Sequence, residues 1–306
     1  MADSCAAGTE DVFYGGAGED LVYGQTGDDT LFGGDAADRL FGEAGNDRLF
    51  GGAGQDTLLG GAGADRMTGG EGADTLFGGA GADTVTMFAD SGADAIFLGE
   101  GRDVLAGGGA VTGFLARGGE GSDAMAGGAG NDSLFGDGDA DAMAGGAGDD
   151  ALSGGYGEDT ILGGLGKDTI DGGAGNDSLL GGEGDDVLYG ANPPDGPQGA
   201  LTGTDTLDGG AGNDIIRADY SDRVTLGAGE DRLFAADPRQ MVVTDFNPAE
   251  DSIEIGYNGG SQPVLTLAEV QGAVIVQLDG AEALRLEGQT LASMAGVNFT
   301  FSGLPV

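Results

Sequence analysis

Apolar side chains recur along this chain with a period of nine. A first run places them at Val22, Leu31, Leu40, Leu49, Leu58, Met67, Leu76 and Val85, and a second at Met125, Leu134, Met143, Leu152, Ile161, Ile170, Leu179 and Leu188. Each sits in the middle of a triplet that reads as a short strand, in which only the middle side chain points to one face. One apolar residue in nine cannot build a core alone. If successive strands lie on opposite walls of a flattened coil, two nine-residue units close one coil, and stacked coils bring the apolar residues of both walls together. The pattern therefore predicts an all-β solenoid of two parallel sheets enclosing a thin core.

The polar positions keep the same phase. An aspartate stands two residues before each apolar position, at Asp20, Asp29, Asp38, Asp47, Asp56, Asp65, Asp74 and Asp83 after an initial Asp11, and then at Asp123, Asp132, Asp141, Asp150, Asp159, Asp168, Asp177 and Asp186. Asp94 and Asp103 lie between the runs, and Asp205, Asp214 and Asp231 follow them. Glycines at the first, second and fourth places of the unit allow positive φ and let the backbone carbonyls turn inward. Typical units are GGAGEDLVY (Gly15 to Tyr23) and GGAGNDSLF (Gly127 to Phe135).

In such a coil Asp20 falls beside Asp38, Asp38 beside Asp56 and Asp132 beside Asp150, about 4.8 Å apart along the stack. Bare carboxylate columns at that spacing are destabilising, and a divalent cation between neighbours reverses the sign. Ca²⁺ takes six to eight oxygen ligands, a demand met by two carboxylates and several loop carbonyls, whereas Mg²⁺ prefers a small octahedral shell that keeps its waters. The expected ligands are the sixteen in-phase aspartates from Asp20 to Asp186 together with Asp214. Carbonyls such as those of Gly16, Gly18, Gly52, Gly54, Gly128, Gly130, Gly146, Gly148, Gly173 and Gly175 would complete the shells, with Asp11, Asp94, Asp103, Asp205 and Asp231 as weaker candidates.

Composition sharpens this picture. The 306 residues include 69 glycines and 7 prolines, a share that would suggest disorder if the period were absent. With 53 acids against 11 bases the formal charge is -42, which opposes a compact metal-free state and argues against nucleic-acid or anionic-membrane partners. There is no histidine and no tryptophan, so histidine-based triads and His-ligated zinc are excluded. The single cysteine, Cys5, rules out an internal disulfide framework and reads as a tolerated thiol. The opening MADSCAAGTE has no basic and apolar leader, and no stretch is long and apolar enough to span a membrane.

The unit G-G-x-G-x-D-x-U-x, with U apolar, resembles the RTX (repeats-in-toxin) nonapeptide family over about residues 8 to 236. The resemblance implies a right-handed parallel β-roll with Ca²⁺ held between turns. Departures mark weaker sites. Ala36 and Asp139 replace the fourth-position glycine, the phase slips at 87–122 where Thr112 falls near an expected aspartate, and the proline-bearing stretch 190–203 reads as a loop bulging from one coil.

After residue 236 the rhythm stops. Short β-rich segments follow at Met241 to Phe246, Ser252 to Ile255, Val264 to Leu267, Val274 to Leu278 and Ala283 to Leu286, with Asp279 and Gly280 as a tight hairpin between the last two. VTDFNPAEDSIEI and LEGQTLASMAGVNFTF resemble the C-terminal cap and targeting region of RTX proteins exported by type I secretion.

Other features read as structural. Phe32, Phe41, Phe50 and Phe77, at the ninth place, point away from the core and shield the sheet by stacking. Adjacent acids such as Asp28 and Asp29, or Asp149 and Asp150, recur too regularly to be a catalytic pair. The glycine loops lack a following G-K-[ST] and sit in a negative field, so they are not phosphate cradles.

The sequence is thus expected to form a tail (1–7), a roll (8–236, irregular at 87–122 and 190–203) and a small C-terminal β cap with a targeting region (237–306). The expected function is that of a secreted, non-enzymatic Ca²⁺-binding protein. It would fold on about thirteen ions outside the cell, with a type I exporter and a cell-surface or matrix component as partners. The alternative is a module serving an extracellular epimerase, protease, lipase or adhesin.

Overall fold

The computed structural model describes residues 2–4, 8, 10–87, 92–108, 112–190, 203–257 and 262–303. Every regular element among them is a β-strand, so no helix is present that could cross a membrane. Cys5 and most of the stretch 190–203 fall outside the described residues.

The chain forms two compact units, Met1–Leu152 and Ser153–Val306. In the first, strands alternate between two sheets. Leu21–Thr26, Arg39–Ala44, Thr57–Ala62 and Thr75–Ala80 pair in parallel in one, and Val12–Ala17, Thr30–Asp35, Arg48–Ala53 and Arg66–Glu71 do so in the other. Neighbours in a sheet are eighteen residues apart, as in Leu40↔Leu58 and Leu31↔Leu49. This is a parallel β-roll. The apolar residue of each unit fills its core, with Val22, Leu31, Leu40, Leu49, Leu58 and Leu76 all at 0% exposure.

The strands are longer than the triplets expected from the sequence. Most run six residues, through the first two glycines, with a buried apolar residue and a buried first glycine two places on, as at Leu58 and Gly60 in Thr57–Ala62. The first glycine is therefore a second inward position. It does not adopt positive φ; the second and fourth do. Its need for hydrogen is spatial: a Cβ on Gly15 would stand 2.5 Å from the Gly33 carbonyl oxygen and 2.7 Å from Asp20 Oδ2.

The irregular regions leave the stacking intact. Ala95–Glu100 pairs with Thr75–Ala80 and with Leu115–Glu120 at a separation of twenty residues. In the second unit Ser178–Glu183 pairs with Thr206–Ala211 at twenty-eight, so the 190–203 stretch is accommodated within one coil. Parallel pairing then runs on through Arg232–Pro238, Ser252–Tyr257 and Thr300–Gly303 in one sheet and through Arg223–Thr225 and Met241–Val243 in the other. Antiparallel strands Leu265–Val270, Ala273–Leu278 and Ala281–Glu287 extend the latter. Asp279 (φ 50) and Gly280 (φ 84) make the expected tight turn, both left-handed as a type I′ hairpin requires.

Candidate metal centre: columns of buried carboxylates

Each in-phase aspartate stands immediately before a strand, and the roll stacks these positions into columns. The contact between rungs repeats: the amide N–H of one aspartate donates to Oδ1 of the aspartate one rung later. It is 2.8 Å from Asp20 to Asp38, 2.7 Å from Asp29 to Asp47, from Asp38 to Asp56 and from Asp47 to Asp65, and 2.8 Å from Asp65 to Asp83. Asp123 to Asp141, Asp132 to Asp150, Asp159 to Asp177 and Asp168 to Asp186 repeat it, and Asp56 donates likewise to Asp74. The weaker candidates join the same columns: Asp11 donates to Asp29, Asp74 to Asp94, Asp83 to Asp103, Asp177 to Asp205, Asp186 to Asp214 and Asp214 to Asp231.

At many of these rungs the one hydrogen bond leaves half of the carboxylate unserved. Oδ2 is buried with no hydrogen-bond partner at Asp20, Asp29, Asp38, Asp47, Asp56, Asp65, Asp83, Asp103, Asp123, Asp132, Asp177, Asp186, Asp214 and Asp231. An unsatisfied buried oxygen of an ionised group is costly, and here the cost recurs at many rungs. Burial, reinforced by like-charged neighbours in the column, pushes Asp47, Asp123 and Asp132 up to about 6, Asp83 and Asp186 up to about 7 and Asp205 up to about 8. Carboxylates held in this way require either a proton or a cation.

Carbonyl oxygens approach from the neighbouring rungs. A Cβ on Gly34, Gly70, Gly72, Gly146, Gly148 or Gly203 would be driven onto the carbonyl of Gly16, Gly52, Gly54, Gly128, Gly130 or Gly175 respectively, so these carbonyls point across the gap between rungs. Gly18, Gly146, Gly148 and Gly173 share the positive φ of the same loops. No three acidic or sulfur side chains converge among the described residues, so no gap offers more than two carboxylates, and loop carbonyls and water would supply the rest of a shell. An all-oxygen donor set without nitrogen or sulfur fits a hard divalent ion of the calcium type. Two loops carry a residue with Cβ at the fourth position, and both hold the left-handed turn, Ala36 at φ 75 and Asp139 at φ 67.

The structure corrects the position expected near Thr112. The slot in the column belongs to Phe114, whose N–H donates to Asp132 Oδ1 at 3.0 Å and whose carbonyl accepts from Ser133 at 2.8 Å, as an aspartate's would. Thr112 instead donates its hydroxyl to the Gly92 carbonyl at 2.5 Å. In this part of the roll one carboxylate slot is taken by the buried Phe114, and Met87 and Leu98 fill inward positions that are glycine in the regular units, while Asp94 and Asp103 keep their places in the columns.

Sequence reasoning missed two members, Asp222 and Asp251, and a neighbouring carboxylate, Asp245. Asp222 Oδ1 accepts from Asp205 at 2.9 Å and its Oδ2 from Asp219 at 2.7 Å. The two Asp245 oxygens accept from Leu226 and Gly227, and those of Asp251 from Asp231 and Asn247. A signal existed for two of them, since Asp222 and Asp251 stand two residues before the buried Val224 and Ile253. Their oxygens are satisfied by backbone N–H groups, so these rungs do not depend on a cation. In chelator, hydrogen exchange is expected to remain slow at the amides of Asp219, Leu226 and Asn247 after it has become fast at Asp29 and Asp47. Equal exchange at both sets would contradict this division.

The fold and these columns define a class, the parallel β-roll with metal-binding turns. Comparison with protein families agrees: the RTX calcium-binding nonapeptide repeat matches at residues 8–31, 23–58, 32–67, 50–85, 86–110, 117–152 and 153–188. With more than half of its length matched, the chain belongs to this family and is a calcium-binding repeat protein. A search of curated proteins gave no significant match.

Proposed function

We propose that this chain is a secreted structural or surface-interaction protein, without catalytic activity, that remains unfolded in the cytosol, leaves by a type I route and folds on Ca²⁺ outside. The observation that carries the reading is the unserved Oδ2 repeated along each column. A fold that buries so many carboxylates with one oxygen unpaired is matched to surroundings rich in Ca²⁺ and unsuited to those that lack it. Asp20 to Asp186 and Asp214 would hold the ions through Oδ2, with the loop carbonyls as co-ligands. Bound calcium supplies positive charge between rungs, while the chain's own residues fix the spacing through the amide to Oδ1 bonds. Because stacking continues through Asp94, Asp103, Asp205 and Asp231, the number of ions is expected to exceed thirteen.

The absence of histidine and the equivalence of successive acidic turns support a non-catalytic role. Export is tested in cells carrying a reconstituted type I exporter. Deleting residues 289–306 should retain the chain in the cytosol, whereas replacing Asp132, Asp150 and Asp168 by Asn should allow export. Normal secretion of the truncated chain would remove the C-terminal signal from the proposal.

A further inference from the structure

One rung of the first unit departs from the others in three residues at once. Phe114 stands in the carboxylate slot, buried at 4% exposure, and keeps the stacking bonds of that slot. Its amide donates to Asp132 Oδ1 at 3.0 Å, its carbonyl accepts from Ser133 at 2.8 Å, and Leu115 donates to the Asp94 carbonyl at 3.0 Å. Ala116, two residues on, is the smallest side chain in the core line from Val22 to Leu188, and it is fully buried. A larger residue in the slot and a smaller one in the adjoining core position keep the enclosed volume nearly constant, an exchange that a close-packed interior accepts. Thr112 takes the place of the fourth glycine, and its hydroxyl donates at 2.5 Å to the carbonyl of Gly92, the fourth glycine of the preceding rung in this column. Beside them Met87 and Leu98 add buried apolar side chains where regular rungs have glycine.

We infer that this rung is a cation-free seat built into the roll, and that the coil around it opens after the regular rungs as Ca²⁺ is withdrawn. In a regular rung an ion is needed to serve the buried carboxylate oxygen and the loop carbonyls. Here a ring fills the slot and a hydroxyl of the chain itself serves the carbonyl. Column charge falls as well. No carboxylate intervenes between Asp94 and Asp132, so this column is divided, while the opposite column runs unbroken through Asp83, Asp103, Asp123 and Asp141. The seat therefore needs ions on one side of the roll only, and the apolar burial at Met87, Leu98 and Phe114 opposes opening without any ion. In a solenoid each rung is held by its neighbours, so a rung that stays closed offers both of them a template on which to restack. The inference rests on the reading that regular rungs close on calcium.

The test is hydrogen exchange of the full chain at stepped Ca²⁺ concentrations. The amides of Leu115 and Ser133, which donate across this rung, should stay protected to a concentration about threefold or more below that at which Thr57 and Val187, in regular rungs of the same column, lose protection. The triple variant Thr112→Gly/Phe114→Asp/Ala116→Leu, which restores the regular unit, should abolish the difference and raise the number of bound ions found by metal analysis. A merely central position in the roll would leave the order unchanged in the variant. Circular dichroism in millimolar Ca²⁺ reports whether the variant folds. If it does not, Thr112→Val decides: lacking only the hydroxyl on Gly92, it should raise the concentration needed to protect Leu115 and Ser133, and no change would overturn the inference. One common midpoint for all four amides, or an order that survives the triple variant, would overturn the inference and leave calcium folding intact. Protection of all four in chelator would overturn the calcium reading itself, and the inference with it.

Discussion

In chelator the far-UV circular dichroism signal of the roll is expected to be largely lost at neutral pH, and millimolar Ca²⁺ is expected to restore it. The chain carries -42 and stacks its carboxylates one rung apart, many of them, such as Asp29, Asp47, Asp65 and Asp83, with an oxygen that no N–H reaches. In the regular rungs the core opposing this is a single apolar side chain per strand, such as Leu58, with a glycine as the other inward residue. Ligand at ten times its dissociation constant adds about 1.4 kcal/mol per site, so even a few filled gaps approach the whole stability of an ordinary domain.

The same carboxylates give a pH arm with a definite sign. Burial raises Asp47 from 3.8 to about 6 and Asp83 and Asp186 to about 7, so between these values the folded chain binds more protons than the unfolded one. Stability of the metal-free roll therefore falls as pH rises across that window. In chelator, β signal should be greater at the acid end than at neutral pH. In limiting Ca²⁺ the order should reverse, because protons compete for the oxygens that hold the ion. A chelator-treated chain with the same signal at both ends of the window, or full signal at neutral pH, would refute the account.

Replacing Asp47, Asp65 and Asp83 together by Asn is expected to move stability in opposite directions with and without calcium. Asparagine keeps an Oδ1 acceptor for the amides of Asp29, residue 47 and residue 65, which the native carboxylates hold at 2.7 to 2.8 Å. It replaces the unserved Oδ2 with an N–H₂ group that repels a cation. In Ca²⁺ the variant should require a higher concentration to fold and lose on the order of 4 kcal/mol, three sites at about 1.4 kcal/mol each. In chelator it should retain more structure than the parent, because three buried charges in one column have gone. Urea unfolding in the two conditions reads both effects. A variant destabilised equally in both would show that these aspartates serve only as turn formers.

Much of this was legible because the repeat is local. Asp-x-Leu at Asp29 to Leu31 recurs with the period that the roll needs, so one unit read correctly places the rest, and the paired columns follow from stacking alone. Glycine was harder. Positive φ was legible at Gly16 and Gly18, but the first glycine, as at Gly15, is excluded from having a side chain by Gly33 and Asp20, one of them a rung away. The place of Phe114 in the column was not legible for a related reason. Once the phase slips, counting residues no longer says which one enters the column, and the interstrand hydrogen bond from its amide to Asp132 decides it.

By itself the sequence determined the all-β coil, the eighteen-residue rung, the apolar line from Val22 to Leu188 and the in-phase aspartates, since each depends on nearest-neighbour geometry repeated without change. The tertiary structure alone decided how the columns cross the insertions, with twenty residues between Asp83 and Asp103 and twenty-eight between Asp186 and Asp214. It also decided which carboxylates keep a buried oxygen without an N–H donor. Asp83 and Asp222 look alike in sequence, each two places before a buried residue, but Asp222 has a second amide within 2.7 Å and Asp83 has an oxygen that nothing reaches. The difference lies in which backbone N–H groups a neighbouring loop happens to present, a property of how the rungs stack and not of any single rung.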